Sequence, residues 1–210
     1  MDPFKFSVLD LFVKPERYVI PLYQRRYIWT KEKQWRPLWE DIQAKVAEVM
    51  AKSVAGQEEG IRPHFLGAIV VSKRQTAGAS LPIYDVVDGQ QRLTTFQVFL
   101  LAFRDQLRGK DDLKKQYGRL RVHTRNGSED LEVEPEEQYK VWPTRFDQPM
   151  FAEIWGHADP QQHLNSIQQA LSRHEGIGNI KQAYAFFSAE LQTWLSEDAA
   201  RADTLLNTLE

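Results

Sequence analysis

Five consecutive residues, 88–92, combine a backbone and side chains that can bind a phosphate. They read DGQQR and form an elbow between a predicted strand and a predicted helix. Free N–H groups and the dipole at the start of a helix favour an anion, and Gly89 lets a ligand approach the backbone. Arg92 adds a bidentate phosphate donor, while Gln90 and Gln91 can donate to phosphate oxygens or orient a water. Asp88 would repel a phosphate, so it suits a magnesium ion, a ribose hydroxyl or Arg92 itself.

A second interpretation of the elbow needs no ligand. The Asp-Gly pair is typical of a tight turn, and Arg92 could then pair with Asp88 at the surface. From the residue types alone both interpretations stay open, because an isolated glycine is a weak signal.

A second cluster of polar and aromatic residues lies in IPLYQRRYIW, residues 20–29. Its candidate binding residues are Tyr23, Gln24, Arg25, Arg26, Tyr27 and Trp29. Aromatic rings that alternate with arginines can stack on bases and bind phosphates. The alternative is an apolar loop whose rings enter the core, and we favour it for Trp29, which stands beside a predicted helix cap. For Gln24 and Arg25 we favour a functional role, because neither belongs in a core without a partner.

The elements around the elbow follow from apolar spacing. Val86 and Val87 fit a strand at 83–87, and the apolar residues of 90–108 recur at helical spacing. That helix is apolar almost all round from 98 to 103, which predicts a central position. Further predictions are an amphipathic segment at 8–12, a buried strand at 64–72 and a turn at 75–82. A helix capped by Thr30 is also predicted, and its apolar face would consist of Trp35, Leu38, Trp39, Ile42, Val46, Val49 and Met50.

The second half of the chain has a different character. Residues 104–125 hold eight Lys or Arg against three Asp, and short strands are predicted at 119–123, 130–133 and 139–142. Asp147 and Pro149 indicate the start of a helix, and Asn179 can cap a last long helix.

Composition limits the classes of protein that the chain can belong to. Its 210 residues are 42% hydrophobic and 27% charged, as in globular proteins, and the net charge is −2. Any contact with nucleic acid must therefore come from a local patch, either Arg25, Arg26, Lys31 and Lys33 or the basic segment 104–125. The chain has no cysteine, which excludes disulfides and thiolate metal sites, and its histidines form no recognisable metal-ligand pattern. No stretch is long enough to span a membrane and the start lacks an apolar signal region, so we expect a cytoplasmic protein.

Three ordered blocks carry a family resemblance: IPLYQRRYIW, HFLGAIVV and YDVVDGQQRLTTFQVFLLAF. They resemble the N-terminal domain of the GmrSD-type restriction and phage-defence family, of the ParB/sulfiredoxin-like superfamily, in which DGQQR is the hallmark motif. The resemblance spans roughly residues 6–195. It implies an α+β fold in which helices surround a small mixed sheet, with a nucleotide-binding core at 1–110. Residues 111–210 would be a basic β segment and a helical extension of the same domain.

The resemblance also implies a function and its residues. Asp88, Gln90, Gln91 and Arg92 would be catalytic, and the phosphates would be held by Gly89, Gln24, Arg25 and Arg92. Tyr23, Gln24, Arg25 and Arg26 would contact DNA, and Asp88 would hold magnesium. The domain would hydrolyse a nucleoside triphosphate, coupled to recognition of modified DNA. A nuclease domain, usually of the HNH type, is expected after residue 210.

Two alternatives remain. The same pocket could sense a modified base or a phosphorothioate backbone without turnover. A direct ParB-like nuclease is the weakest alternative, because the carboxylates are scattered and suggest no two-metal cluster.

Overall fold

A small mixed sheet carries the elbow. The computed structural model describes residues 4–55, 61–75, 81–127, 133–198 and 200–210. The strands of these residues are β1 Arg17–Val19, β2 Val70–Lys73, β3 Ile83–Asp88 and β4 Val141–Trp142. Across the sheet they follow the order β2-β3-β1-β4. Strand β1 runs parallel to β3 and β4, whereas β2 runs antiparallel to β3.

The helices of the described residues surround this sheet. They are α1 Val8–Val13, α2 Arg36–Val54, α3 Gln90–Leu107, α4 Lys114–Thr124, α5 Gln148–Gly156, α6 Pro160–Ser172, α7 Asn179–Glu197 and α8 Arg201–Leu209. The predicted α+β fold with a small mixed sheet is therefore confirmed.

Helix α3 is the central element of the core. Every residue from Val98 to Phe103 is buried, so the whole circumference of the helix is covered there. Helix α7 packs against it, and the rings of Phe99 and Phe187 meet edge to face with centroids 5.4 Å apart. Such a ring pair adds about 0.5–1.5 kcal/mol to what burial alone contributes. Because α3 is fixed in this way, the elbow at its N-terminal end is fixed as well.

The predicted apolar face of α2 is confirmed. Trp39, Ile42 and Val46 are buried, and a π-helical turn, Lys31–Trp35, precedes the helix. Thr30 stands at the start of that turn but makes no capping bond through its side chain. Its backbone N–H instead donates to the side-chain oxygen of Gln34, at 3.0 Å.

The predicted buried strand at 64–72 is wrong. The strand is limited to Val70–Lys73, lies at the edge of the sheet and is largely exposed. Phe65, before it, is 83% exposed. An apolar run is typical of a strand that is covered on both faces, but β2 pairs on one side only and its surroundings do not cover it.

Other predictions in the second half have mixed outcomes. The strand at 119–123 is wrong, because α4 occupies this segment and buries Gln116, Leu120 and Thr124 at helical spacing, together with Leu113 at its N-cap. The strand at 139–142 is confirmed as the shorter β4. Of the predicted strand at 130–133 and the predicted turn at 75–82, residues 130–132 and 76–80 lie outside the described residues.

One connected apolar core extends from Val8 in α1 to Leu209 in α8. Both the first 110 residues and the rest contribute to it. The division of the chain at residue 110 stays a prediction.

Candidate functional site

The elbow is a left-handed turn that leads from β3 directly into α3. Gly89 is the N-cap residue of the helix and has a φ of 86°, which favours glycine. A Cβ atom on Gly89 would lie 3.0 Å from the carbonyl oxygen of Ala68 and 3.1 Å from Cα of Ile69. The segment before β2 therefore packs closely over the turn. The N–H groups of Gln90, Gln91 and Arg92 have no acceptor within the helix, because they belong to its first turn.

The second cluster, here the QRRY loop (residues 23–29), is bound to the elbow by hydrogen bonds. Gln24 Nε2 donates to the carbonyl oxygen of Val87, at 3.0 Å. Gln91 Oε1 accepts from the N–H of Ile28 at 2.8 Å, and Gln91 Nε2 donates to the carbonyl oxygen of Arg26 at 3.0 Å. The two sequence blocks, more than sixty residues apart in the chain, thus meet at one place.

Tyr27 anchors the middle of the QRRY loop in the core. Its hydroxyl bonds to the Thr95 hydroxyl at 2.6 Å and accepts from Trp35 Nε1 at 2.8 Å. Burial raises the pKa of the Tyr27 hydroxyl, although these two hydrogen bonds act in the opposite direction. The phenol therefore stays neutral and serves as a structural anchor.

Two residues from the second half of the chain hold the same loop. The carboxylate of Asp147 accepts from the backbone N–H of Tyr27 at 2.7 Å and from the Thr144 hydroxyl at 2.7 Å. Asn179 Nδ2 donates to the carbonyl oxygen of Trp29 at 3.1 Å. Asp147 does stand at the N-cap of α5, but its carboxylate makes no capping bond, and the N-cap of α7 is Gly178 rather than Asn179.

The other polar side chains of the QRRY loop face solvent. Tyr23 is 78% exposed, and Arg25 and Arg26 are also exposed. Neither arginine makes a side-chain hydrogen bond or ion pair with any residue that the structure describes. Their guanidinium groups are therefore available to a ligand. Trp29, in contrast, is partly buried and packs on the core, as we favoured from the sequence.

Arg92 contacts the segment before β2. Its Nη1 donates to the carbonyl oxygen of Ala68 at 2.6 Å, and its guanidinium lies where a Cβ on Gly67 would be, at 2.5 Å from Cζ. Gly67 has a φ of 103°, a left-handed backbone that favours glycine, and its lack of a Cβ atom leaves room for the Arg92 guanidinium. The alternative surface pair of Arg92 with Asp88 does not form: the exposed carboxylate of Asp88 has no hydrogen bond or ion pair with any described residue, and Arg92 bonds to Ala68 instead.

The two glutamines of the elbow have different surroundings although they are equally buried. Gln90 is 7% exposed and Gln91 is 6% exposed. Both polar atoms of Gln91 are bonded to the backbone of the QRRY loop. Gln90 Oε1 is buried and has no hydrogen-bond partner in the described part of the chain. An unpaired buried acceptor is costly, so it marks a position where a water or a ligand can bind.

Asp88 is the one candidate metal ligand that the sequence suggested. Among the described residues, no three His, Asp or Glu side chains are grouped so that they could hold a metal ion. A single exposed carboxylate fits magnesium only where phosphates and waters supply most of the oxygens, which is common for nucleotide-bound magnesium.

The sequence interpretation missed three residues that matter here. Asp147 and Asn179 were read only as helix caps, although they hold the QRRY loop. The sequence suggests no role for His157, which follows α5 in a loop, although its side chain is only 7% exposed and its Nε2 lies 3.0 Å from Asp105 Oδ2. No signal in a single sequence joins such distant residues. The WGHADP context of His157 gave no indication of its pairing with α3.

The match to a family model identifies the class of protein. The model of the GmrSD restriction endonuclease N-terminal domain matches residues 8–209. The chain therefore belongs to the GmrSD N-terminal domain family and is a module of a restriction and defence protein. No curated protein is significantly similar to it. Within the described residues, no helix is both long and apolar enough to cross a membrane.

Proposed function

We propose that this domain binds and hydrolyses a nucleoside triphosphate at the elbow, and that hydrolysis is coupled to recognition of modified DNA. One observation supports the proposal most. The left-handed Gly89 is the N-cap of α3, the first three N–H groups of this helix have no acceptor within it, and the Gln24–Val87 hydrogen bond places the loop that carries Arg25 at the same elbow. Helix N-terminal N–H groups together with arginines suit the phosphates of a nucleotide.

The residues of the elbow would have separate roles. Arg92 and Arg25 would hold the phosphates, since phosphoryl transfer mostly needs positioning and electrostatic stabilisation. Gln90 would orient the attacking water through Oε1, which lacks a partner among the described residues. Gln91 is the weaker candidate for that role, because both polar atoms of its amide already bind backbone groups. Its role would be to position the loop.

Asp88 would hold the magnesium ion that accompanies the nucleotide. The carboxylate is exposed and free of ion pairs with described residues, so it can supply one oxygen. The ion would offset the phosphate charge that Asp88 would otherwise repel.

DNA would contact the exposed face of the QRRY loop. Tyr23 can stack on a base, and Arg25 and Arg26 can bind backbone phosphates. Their exposure also supports a second candidate function, in which the loop senses a modified base or a phosphorothioate without any hydrolysis. In both cases affinity should fall steeply as salt rises, because phosphate contacts release counterions.

The test is phosphate release from ATP, GTP, CTP and UTP by the purified domain, with and without modified DNA. Arg92→Ala should lower turnover about a hundredfold or more. The variant should stay folded, because its bond to the carbonyl of Ala68 is exposed and contributes only about 0.5–1.5 kcal/mol. Arg173→Ala is the matched control, since Arg173 is exposed at the end of α6.

The outcomes separate the two candidate functions. Turnover that is lost in Arg92→Ala and kept in Arg173→Ala supports hydrolysis at the elbow. Full turnover in a folded Arg92→Ala variant contradicts it. No turnover with any nucleotide, together with salt-dependent binding that prefers modified over unmodified DNA, supports the sensing module instead.

A further inference from the structure

A basic cavity lies at the end of α3 opposite the elbow. It has a volume of about 230 Å³. Its lining includes four arginines and three ring side chains: Arg104, Arg108, Arg121, Arg125, Tyr117, Trp155 and His157. We call this cavity the arginine pocket. Arg104 is twelve residues from Arg92 on the same helix, so the arginine pocket lies roughly 18 Å from the elbow at 1.5 Å per residue. The two places are therefore separate sites.

The four arginines come from two helix ends in pairs. Arg104 lies in the last turn of α3 and Arg108 is the C-cap residue of that helix, while Arg121 lies in the last turn of α4 and Arg125 is its C-cap residue. All four line the cavity between α3, α4 and the end of α5.

Positive charge in the arginine pocket exceeds negative charge. Asp105 is the one carboxylate of the described residues that contacts any of the four arginines. It bonds to Arg104 at 2.8 Å and lies 4.0 Å from Arg108. Arg125 lies over the Trp155 ring at 5.6 Å and donates to an amide oxygen. The guanidinium of Arg121 has no hydrogen bond or ion pair within the described part of the chain.

Helix capping explains only part of this cluster. Arg104 donates to the carbonyl oxygen of Trp155 at 3.3 Å, and Arg108 donates to those of His157 and Ala158 at 3.2 and 2.9 Å. These bonds satisfy carbonyl groups at the end of α5. No such bond involves the side chains of Arg121 or Arg125 within the described residues. Capping therefore does not account for two of the four charges.

His157 provides an independent indication that the cavity can bind a ligand. Its side chain is 7% exposed, it lines the cavity, and its Nδ1 is buried without a partner among the described residues. Its Nε2 faces the Asp105 carboxylate at 3.0 Å and the Tyr184 hydroxyl at 3.3 Å. Nδ1 can donate to a phosphate oxygen from the imidazolium, or accept from the hydroxyl of a protonated phosphate.

We propose that the arginine pocket binds the phosphate group of a phosphate ester. Guanidinium groups match phosphate oxygens bidentately, and the Trp155 and Tyr117 rings suit the group that carries the phosphate. The volume is below the roughly 300 Å³ at which pockets for whole drug-sized ligands begin. A phosphate with part of its ester group therefore fits, either from a free nucleotide or from a nucleic-acid backbone.

The probe is inorganic phosphate, titrated at constant ionic strength against sodium chloride. The readout is the indole N–H resonance of Trp155 in the ¹⁵N-labelled domain, assigned among the six tryptophans with Trp155→Phe. Its Nε1 donates to the carbonyl oxygen of Thr124 at the wall of the pocket. Wild type should show a saturable shift, and the double variant Arg121→Gln/Arg125→Gln should weaken binding about tenfold or more. Both side chains are exposed, so the variant should keep its melting temperature.

Two control variants test whether the shift reports binding at the arginine pocket. Arg173→Gln removes a remote exposed arginine and should leave the titration unchanged. Arg92→Ala should also leave it unchanged, which separates this site from the elbow. A shift that does not saturate, or that is equal in the double variant and wild type, overturns the proposal.

Competition identifies the source of the phosphate. Displacement of inorganic phosphate by AMP assigns the pocket to a free nucleotide, and displacement by a short DNA duplex assigns it to a nucleic-acid backbone. Displacement by neither would overturn the assignment to a phosphate ester.

Discussion

The two adjacent glutamines of the elbow permit a closely matched comparison. We expect Gln91→Met to destabilise the domain strongly and Gln90→Met to leave its stability nearly unchanged. Methionine keeps roughly the length of glutamine and removes both polar atoms, so the substitution leaves little cavity. The two positions are 6% and 7% exposed, and both lie in the first turn of α3.

The magnitude follows from the groups that lose a partner. Gln91→Met leaves the Ile28 N–H and the Arg26 carbonyl without their bonds of 2.8 and 3.0 Å. An unsatisfied buried group costs about 1–3 kcal/mol, and the lower part of that range applies here because both groups belong to partly solvated residues. For the two groups together, Gln91→Met should lower the free energy of unfolding by about 2–4 kcal/mol. Gln90→Met removes an acceptor that has no described partner, so its cost should stay below about 1 kcal/mol.

The assay is thermal and urea unfolding, followed by circular dichroism. At about 2–4 °C per kcal/mol for a chain of this size, Gln91→Met should lower the melting temperature by roughly 4–16 °C. Gln90→Met should stay within a few degrees of wild type while losing nucleotide hydrolysis. Equal melting temperatures for the two variants would refute the positioning role of Gln91. Full turnover in Gln90→Met would remove Gln90 from the reaction.

Two further predictions concern the supports of the site, and a third concerns the buried Lys140. Asp147→Ala should cost about 1–3 kcal/mol, because it leaves the Tyr27 N–H unpaired, and limited proteolysis should then cut the QRRY loop faster than in wild type. Gly89→Ala should cost about 1–2 kcal/mol for its left-handed backbone and more for the contact with Ala68, measured by urea unfolding against Gly118→Ala, whose Cβ would meet nothing within 4 Å. Burial lowers the pKa of Lys140 to about 8, so the unfolded chain binds more protons than the folded one between pH 8 and 10.5. Stability should rise across that window by up to about 1.4 kcal/mol per pH unit, and Lys140→Met should remove the rise; an equal rise in the variant would contradict this cause.

The parts of the fold that the sequence predicted are those whose local pattern matches their final surroundings. Helix α3 is buried all round, and its apolar residues from Val98 to Phe103 follow directly from that position. The edge strand β2 could not be placed correctly, because exposure depends on which strands are its neighbours. The same limit applies to α4, where a basic segment without an evident apolar face becomes a helix by packing Leu113 and Leu120 inward.

The site was predictable in its parts but not in its connections. Side-chain types made Gln24 and Gln91 candidates, and the structure places both between the elbow and the QRRY loop. Which glutamine is bonded and which is unpaired depends on the position of the Ile28 backbone, which no local pattern encodes. Asp147 and Asn179 reach the loop across more than a hundred residues of chain, so their role follows only from the packed structure.

The position of β1 in the sheet has a consequence for folding during synthesis. This strand emerges early but lies between β3 and β4, with Tyr18 aligned to Tyr84 on one side and Val141 on the other. At roughly 5–20 residues per second, the ribosome needs about 6–25 s to go from Tyr18 to Val141. At first both edges of β1 lack their partner strands and are open to other chains. After β3 has been made, the edge that pairs with β4 stays open for the rest of that time. The pairing of β1 is therefore completed only after β4 has left the ribosome, and its open edges make the incomplete chain prone to aggregation until then.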